Sequence, residues 1–233
     1  MKRTLCLILG FALLITLVIT VSATLWTGPA AADDRCPAPA KSASVKITTS
    51  KANVIYKTGH SRHDLERLQR SRGRHAAKGN WRILGLTLTD FKYAIKTSAR
   101  VISISGGRYC AQPVSYDLTI GYSDFLVFID RKYRPGSCEY RAIRNHEDAH
   151  VALYRGYLTR YLPTIKRQAQ AAAAGVPSVI VSTPDLGAKY IQDQMTRLIA
   201  PLVQKLNREA DVSNARIDTP KSYRNVQMLC DKW

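Results

Sequence analysis

Residues 144–154 read Arg-Asn-His-Glu-Asp-Ala-His-Val-Ala-Leu-Tyr, and within them His146, Glu147 and His150 form an HExxH pattern. Residues four apart on an α-helix lie one above the other on the same face, so the two imidazoles can converge on a single ion. Zinc takes neutral imidazole nitrogens at about 2.0–2.1 Å, and a carboxylate placed beside the first ligand is positioned to accept a proton from water activated by the metal. The expectation is a Zn2+ site with His146 and His150 as ligands, Glu147 as general base, and hydrolysis as the chemistry. One intervening position, Asp148, is charged where such helices usually carry a neutral residue.

The motif needs a helix, and its flanks supply one. From Glu139 to Lys166 an apolar stripe of Ile143, Val151, Leu153, Tyr154, Leu158, Tyr161 and Leu162 reads as one helix, and the alanine-rich run after Pro163 extends it to Gly175. A second helix is predicted from Pro184, with Thr183 as cap. It carries Ile191, Met195, Leu198, Ile199, Leu202, Val203 and Leu206, and a kink is expected at Pro201. Two long helices joined by about ten residues are most simply antiparallel neighbours.

Upstream of the motif, strand-like runs occupy residues 45–49, 53–57, 81–89, 94–104, 115–120 and 125–130, with a short amphipathic helix at 63–70. The predicted fold class is α+β: an antiparallel or mixed sheet, then the long HExxH helix, then a second antiparallel helix.

Lys2 and Arg3 precede a long apolar run from Leu5 to Leu25, followed by Ala30 and Ala32, which suit signal-peptide cleavage after residue 32. An uncleaved inner-membrane anchor formed by residues 5–25 is the alternative. Residues 33–44 read as a Pro/Ala/Ser spacer, and residues 45–233 as one domain. Export, to the periplasm or beyond, makes disulfides the natural state of the four remaining cysteines. The preferred pairing is Cys110–Cys138, clipping the segment before the helix, with Cys36–Cys230 joining the ends.

The formal net charge is +18, falling by two to +16 once Lys2 and Arg3 are removed. For an exported chain this points to anionic envelope polymers or lipid headgroups as partners, with nucleic acid the lesser candidate. The densest basic stretch, Lys57 to Arg82, reads as a solvated face and loop, and His60, His63 and His75 within it as surface residues.

A catalytic zinc takes three protein ligands and keeps one position open. Even packing of the two helices brings Glu209 or Asp211 opposite the motif. Asp218 lies further on, where it or Thr219 could instead cap a helix beginning at Pro220.

Gly136-Ser137-Cys138-Glu139-Tyr140, the HExxH segment, and the closing Asp218-Thr219-Pro220-Lys221-Ser222-Tyr223 with Cys230 resemble a family of bacterial secreted zinc-dependent proteases, a domain of unknown function in the HExxH zincin clan. The resemblance extends loosely over residues 45–230. It implies a zincin-like fold, peptidase-type hydrolysis of a peptide or protein substrate in the cell envelope, and Asp218 as third metal ligand. Many members carry a histidine where Tyr223 stands here. Tyr223 or Tyr154 is the candidate for stabilising a developing oxyanion. The competing functions are a catalytically silent zincin-like protein that binds the envelope through its basic surface, and a membrane-tethered scaffold.

Overall fold

The computed structural model describes residues 35–72 and 82–233. The expected signal peptide or anchor, the expected cleavage site, Trp81, His75 and part of the basic stretch therefore lie outside the described residues. Among those described, no helix is long and apolar enough to cross a membrane.

The elements follow the chain as β1 (Ser44–Thr49), β2 (Val54–Lys57), α1 (Arg62–Ser71), β3 (Gly85–Leu88), β4 (Phe91–Ile104), β5 (Arg108–Tyr122), β6 (Phe125–Ile129), α2 (Cys138–Gly175), β7 (Val179–Val181), α3 (Pro184–Ile217) and α4 (Pro220–Gln227). The fold is α+β with two mixed sheets. In the first, β5 pairs with β1 in parallel and with β4 and β7 in antiparallel fashion. In the second, β6 pairs with β2 in parallel and with β3 in antiparallel fashion, which leaves β3 at the edge.

β5 shows why the first sheet packs on the long helices. Tyr116, Leu118 and Ile120 are buried while Asp117 and Thr119 between them are exposed, the alternation of a half-buried strand. Their inward face meets Ile191, Met195, Ile199, Val203 and Leu206 of α3 and Ile165, Ala169, Ala172 and Ala173 of α2 in one core. Truncating a fully buried member such as Ile199 to alanine removes transfer energy and leaves a cavity, a loss of about 2–5 kcal/mol.

Both long helices run through a proline, Pro163 in α2 and Pro201 in α3. α3 is one helix across Pro201. Each proline is exposed, so the carbonyl it strips of a partner faces water while the opposite face stays held by the core.

α2 and α3 are antiparallel neighbours: the Tyr154 hydroxyl meets Asp211, and His150, earlier on α2, meets Asn214, later on α3. These pairings sit about six residues further along α3 than an even hairpin would give. The sequence reading did not include β7 in the connection. Beyond it, the first turn of α3 packs on the sheet, where Gly187 lies so close against Ala111 that no Cβ would fit.

The disulfides correct the expected pairing: Cys36 bonds Cys110 and Cys138 bonds Cys230, with Cα–Cα separations of 5.3 and 5.9 Å. Cys110 lies near the start of β5, a strand that carries the chain about 40 Å onward before α2 begins. The stretch read as a spacer runs beside that end of the strand, where Gln112 Nε2 donates to the Pro37 carbonyl at 2.6 Å. Cys138 opens α2, against which α4 and the C-terminal residues pack through Tyr140, Ile143, Tyr223 and Trp233.

Candidate metal centre

α2 starts where Gly136, at φ 92°, turns the chain and Ser137 caps it by accepting a hydrogen bond from the Tyr140 amide. Ile143 and Val151 anchor the helix against the second sheet side, and this fixes which face carries His146 and His150. Their ring centroids lie 5.0 Å apart. Donor atoms of His146, Glu147 and His150 lie within 4.8 Å of one another.

Asp218 completes the group. Its Oδ1 lies 3.1 Å from His146 Nε2 and 3.0 Å from His150 Nε2, so both imidazoles aim the same nitrogen at one carboxylate oxygen. Ligands about 2.05 Å from a tetrahedral zinc sit about 3.3 Å apart, so a few tenths of an ångström of adjustment admits the ion. Asp218 ends α3, and the choice left open by the sequence is settled by its neighbour: Thr219 Oγ1 caps α4 by accepting from the Ser222 amide, leaving the Asp218 carboxylate to the histidines.

Neither helix-geometry candidate reaches the site, which corrects Glu209 and Asp211 as third ligands. Asp211 accepts from the Tyr154 hydroxyl at 3.0 Å, and Glu209 lies beside Lys205 and Tyr161. The six-residue offset of the helix pair is the reason.

Asn214 went unread in the sequence. Its Nδ2 donates to the Ala210 carbonyl, which can only accept, so its Oδ1 must face His150 Nδ1 at 2.9 Å. Nδ1 therefore carries hydrogen, so in the neutral ring Nε2 is the bare nitrogen that would meet a metal, whereas the hydrogen bond from Nε2 to Asp218 belongs to the protonated ring. The signal was one helical turn of spacing, Asn214 to Asp218. Thr87 and Gly85 carried no signal at all.

Glu147 is only 1 % exposed. Thr87 Oγ1 donates to its Oε2 at 2.8 Å, and β3 crosses so closely at Gly85 that a Cβ there would stand 2.5 Å from Glu147 Oε1. The small pocket bounded by Glu147, His150, Asp218, Tyr223 and Gln69 has room for about one water.

The Asp148 charge points elsewhere. The Tyr56 hydroxyl donates to it at 2.7 Å, and Arg144, stacked over the Tyr56 ring, lies 3.5 Å away. Tyr223 packs its ring 5.1 Å from that of His146. His60 packs edge-on against Phe128, and His63 is exposed on α1.

Burial raises the proton affinity of Glu147, and the neighbouring imidazoles only partly oppose it. Burial also works against charge on Asp218, but its hydrogen bonds to both histidines prevail and hold its carboxyl well below the usual range. His150 is desolvated too, yet Asp218 and the charge of Glu147 outweigh that and raise its pKa. Burial first, then the charges of Glu147 and Asp218, push the Tyr223 phenol far up, so it keeps its proton.

A scan against protein-family models matched none, and searches of curated proteins and of solved structures found no match.

Proposed function

We propose that the protein is an exported zinc-dependent peptidase with a zincin-like arrangement, in which His146, His150 and Asp218 hold the metal. The observation that carries this reading is the convergence of both Nε2 atoms on a single Asp218 oxygen, with the His150 tautomer fixed by Asn214. Two disulfides fit an oxidising compartment and favour export. Bound there, zinc supplies Lewis acidity that lowers the pKa of coordinated water towards about 7.

Glu147 takes the proton of the attacking water as the water oxygen adds to the substrate carbonyl, and then passes that proton to the leaving amine nitrogen. Its burial makes it a stronger base than an exposed carboxylate, and Thr87 holds its Oε2 while Gly85 packs against its Oε1. Tyr223, rather than Tyr154, is the hydroxyl donor for the developing oxyanion, because Tyr223 lines the pocket with Glu147, His150 and Asp218 and Tyr154 does not.

Glu147→Gln tests the assignment, since it keeps the size of the side chain and removes the base. Zinc content should persist while hydrolysis falls by about 10²-fold or more. Unchanged hydrolysis in this variant contradicts the assigned role.

A further inference from the structure

A second cavity, of about 320 Å³, opens where β3 runs into β4 and faces α2 and α3. It lies near the metal group along the chain of β3, α2 and α3. Leu88 on its wall directly follows Thr87, which holds Glu147, and Tyr154 lies one helical turn, about 6 Å, beyond His150. Asp211 stands a turn before Asn214 on α3. The cavity is therefore about one or two residues of extended peptide away from the bond-breaking groups.

Its polar groups leave an uncompensated negative charge. Asp90 is paired with Arg72 at 2.6 Å, which among the described residues occupies the only guanidinium on the cavity wall. Asp211 accepts hydrogen bonds from the Tyr154 hydroxyl at 3.0 Å and Asn207 Nδ2 at 3.3 Å, both neutral donors, and among the described residues no cation pairs with it. Beneath them the buried Tyr122 hydroxyl has no hydrogen-bond partner. Among the described residues, two carboxylates against one guanidinium leave a net charge of about −1 in a protein that is otherwise strongly basic. Phe91 and Tyr122 on a wall that is otherwise mostly polar offer ring surface to an aliphatic stem, and Asp211 suits the charged head at its end.

We propose that this cavity is a specificity pocket for a cationic side chain, an ammonium or guanidinium on an aliphatic stem, with Asp211 as its counter-charge. The proposal rests on the peptidase reading for its place in catalysis, but binding itself needs neither zinc nor Glu147.

The test is an NMR titration of the purified protein with N-acetyl-lysine methylamide, its neutral counterpart N-acetyl-norleucine methylamide, and N-acetyl-glutamate methylamide. Each is run on the wild type, Glu147→Gln and Asp211→Asn. The asparagine keeps an acceptor for Tyr154, so a spectrum with native dispersion identifies a folded variant. The lysine amide should bind about fivefold or more tightly than the norleucine amide, with shifts at Tyr122 and Tyr154, in wild type and Glu147→Gln alike. Asp211→Asn should erase that preference. Equal binding of lysine and norleucine amides, preference for the glutamate amide through Arg72, or indifference to Asp211→Asn overturns the pocket. Because Glu147→Gln leaves the binding result untouched, failure of the peptidase reading shows separately, as hydrolysis that does not depend on Glu147.

Discussion

Replacing Asn214 with alanine removes one hydrogen bond from the edge of the metal group. Asn214 Oδ1 lies 2.9 Å from His150 Nδ1 and fixes which ring nitrogen bears hydrogen. Without it the neutral ring is free to carry hydrogen on Nε2, the nitrogen that must be bare to ligate. Loss of such outer partners typically costs 10–100-fold in metal affinity, about 1.4–2.7 kcal/mol. The upper part of that range is expected, because Asn214 is 3 % exposed and water has little access to replace the lost acceptor. The assay is zinc competition against a chromophoric chelator at fixed pH, with circular dichroism confirming the fold. Asn214→Asp, which restores an acceptor, should recover most of the affinity. Wild-type affinity in a folded Asn214→Ala variant would refute the tautomer argument.

Gly85→Ala forces a Cβ against Glu147, so it should retain zinc, lose about 1–3 kcal/mol of stability in thermal unfolding, and lose most hydrolysis; full activity would show that β3 does not set the base. Non-reducing peptide mapping should recover Cys36 with Cys110 and Cys138 with Cys230, and replacing Cys138 and Cys230 by alanine should cost about 2–5 kcal/mol, with α4 loosening first. The metal-free and zinc-loaded proteins should show opposite pH dependence of the unfolding temperature. In the metal-free protein the raised His150 contributes stability in full below its unfolded value of about 6.5 and loses it as pH rises through its folded value, and deprotonation of the raised Glu147 acts in the same direction. Asp218, held low, contributes above its unfolded value of 3.8 and loses that only in strong acid. With zinc, protons compete for the imidazoles, so stability should fall as pH drops from about 8 to 6; parallel profiles would contradict this.

The sequence was informative where one element carries its own pattern. His146, Glu147 and His150 share a helix whose apolar stripe is visible, and the α3 stripe from Ile191 to Leu206 follows the same period. Asp218 was named through resemblance, whereas helix counting pointed to Glu209 and Asp211. That count failed because the three-residue β7 and the packing of Gly187 on Ala111 shift the helix register, and neither leaves a periodic trace. Thr87 and Gly85 act across the fold from β3 on Glu147, so only their tertiary placement gives them meaning. The cysteine pairing was equally hidden, since four cysteines allow three connectivities and the 15-residue length of β5 decides among them. The Asp148 charge lost its significance once Tyr56 and Arg144, the former 92 residues away, were seen to hold it.

The central claim is one zinc held by His146, His150 and Asp218. X-ray absorption at the zinc edge, on protein dialysed to a measured metal content, tests it most directly. The account predicts about one zinc per chain, with two imidazole nitrogens and at least one carboxylate oxygen in its coordination shell at about 2.0–2.2 Å, and loss of that shell in His150→Ala. A chain that stays free of zinc after titration, or a shell unchanged by His150→Ala, would contradict it.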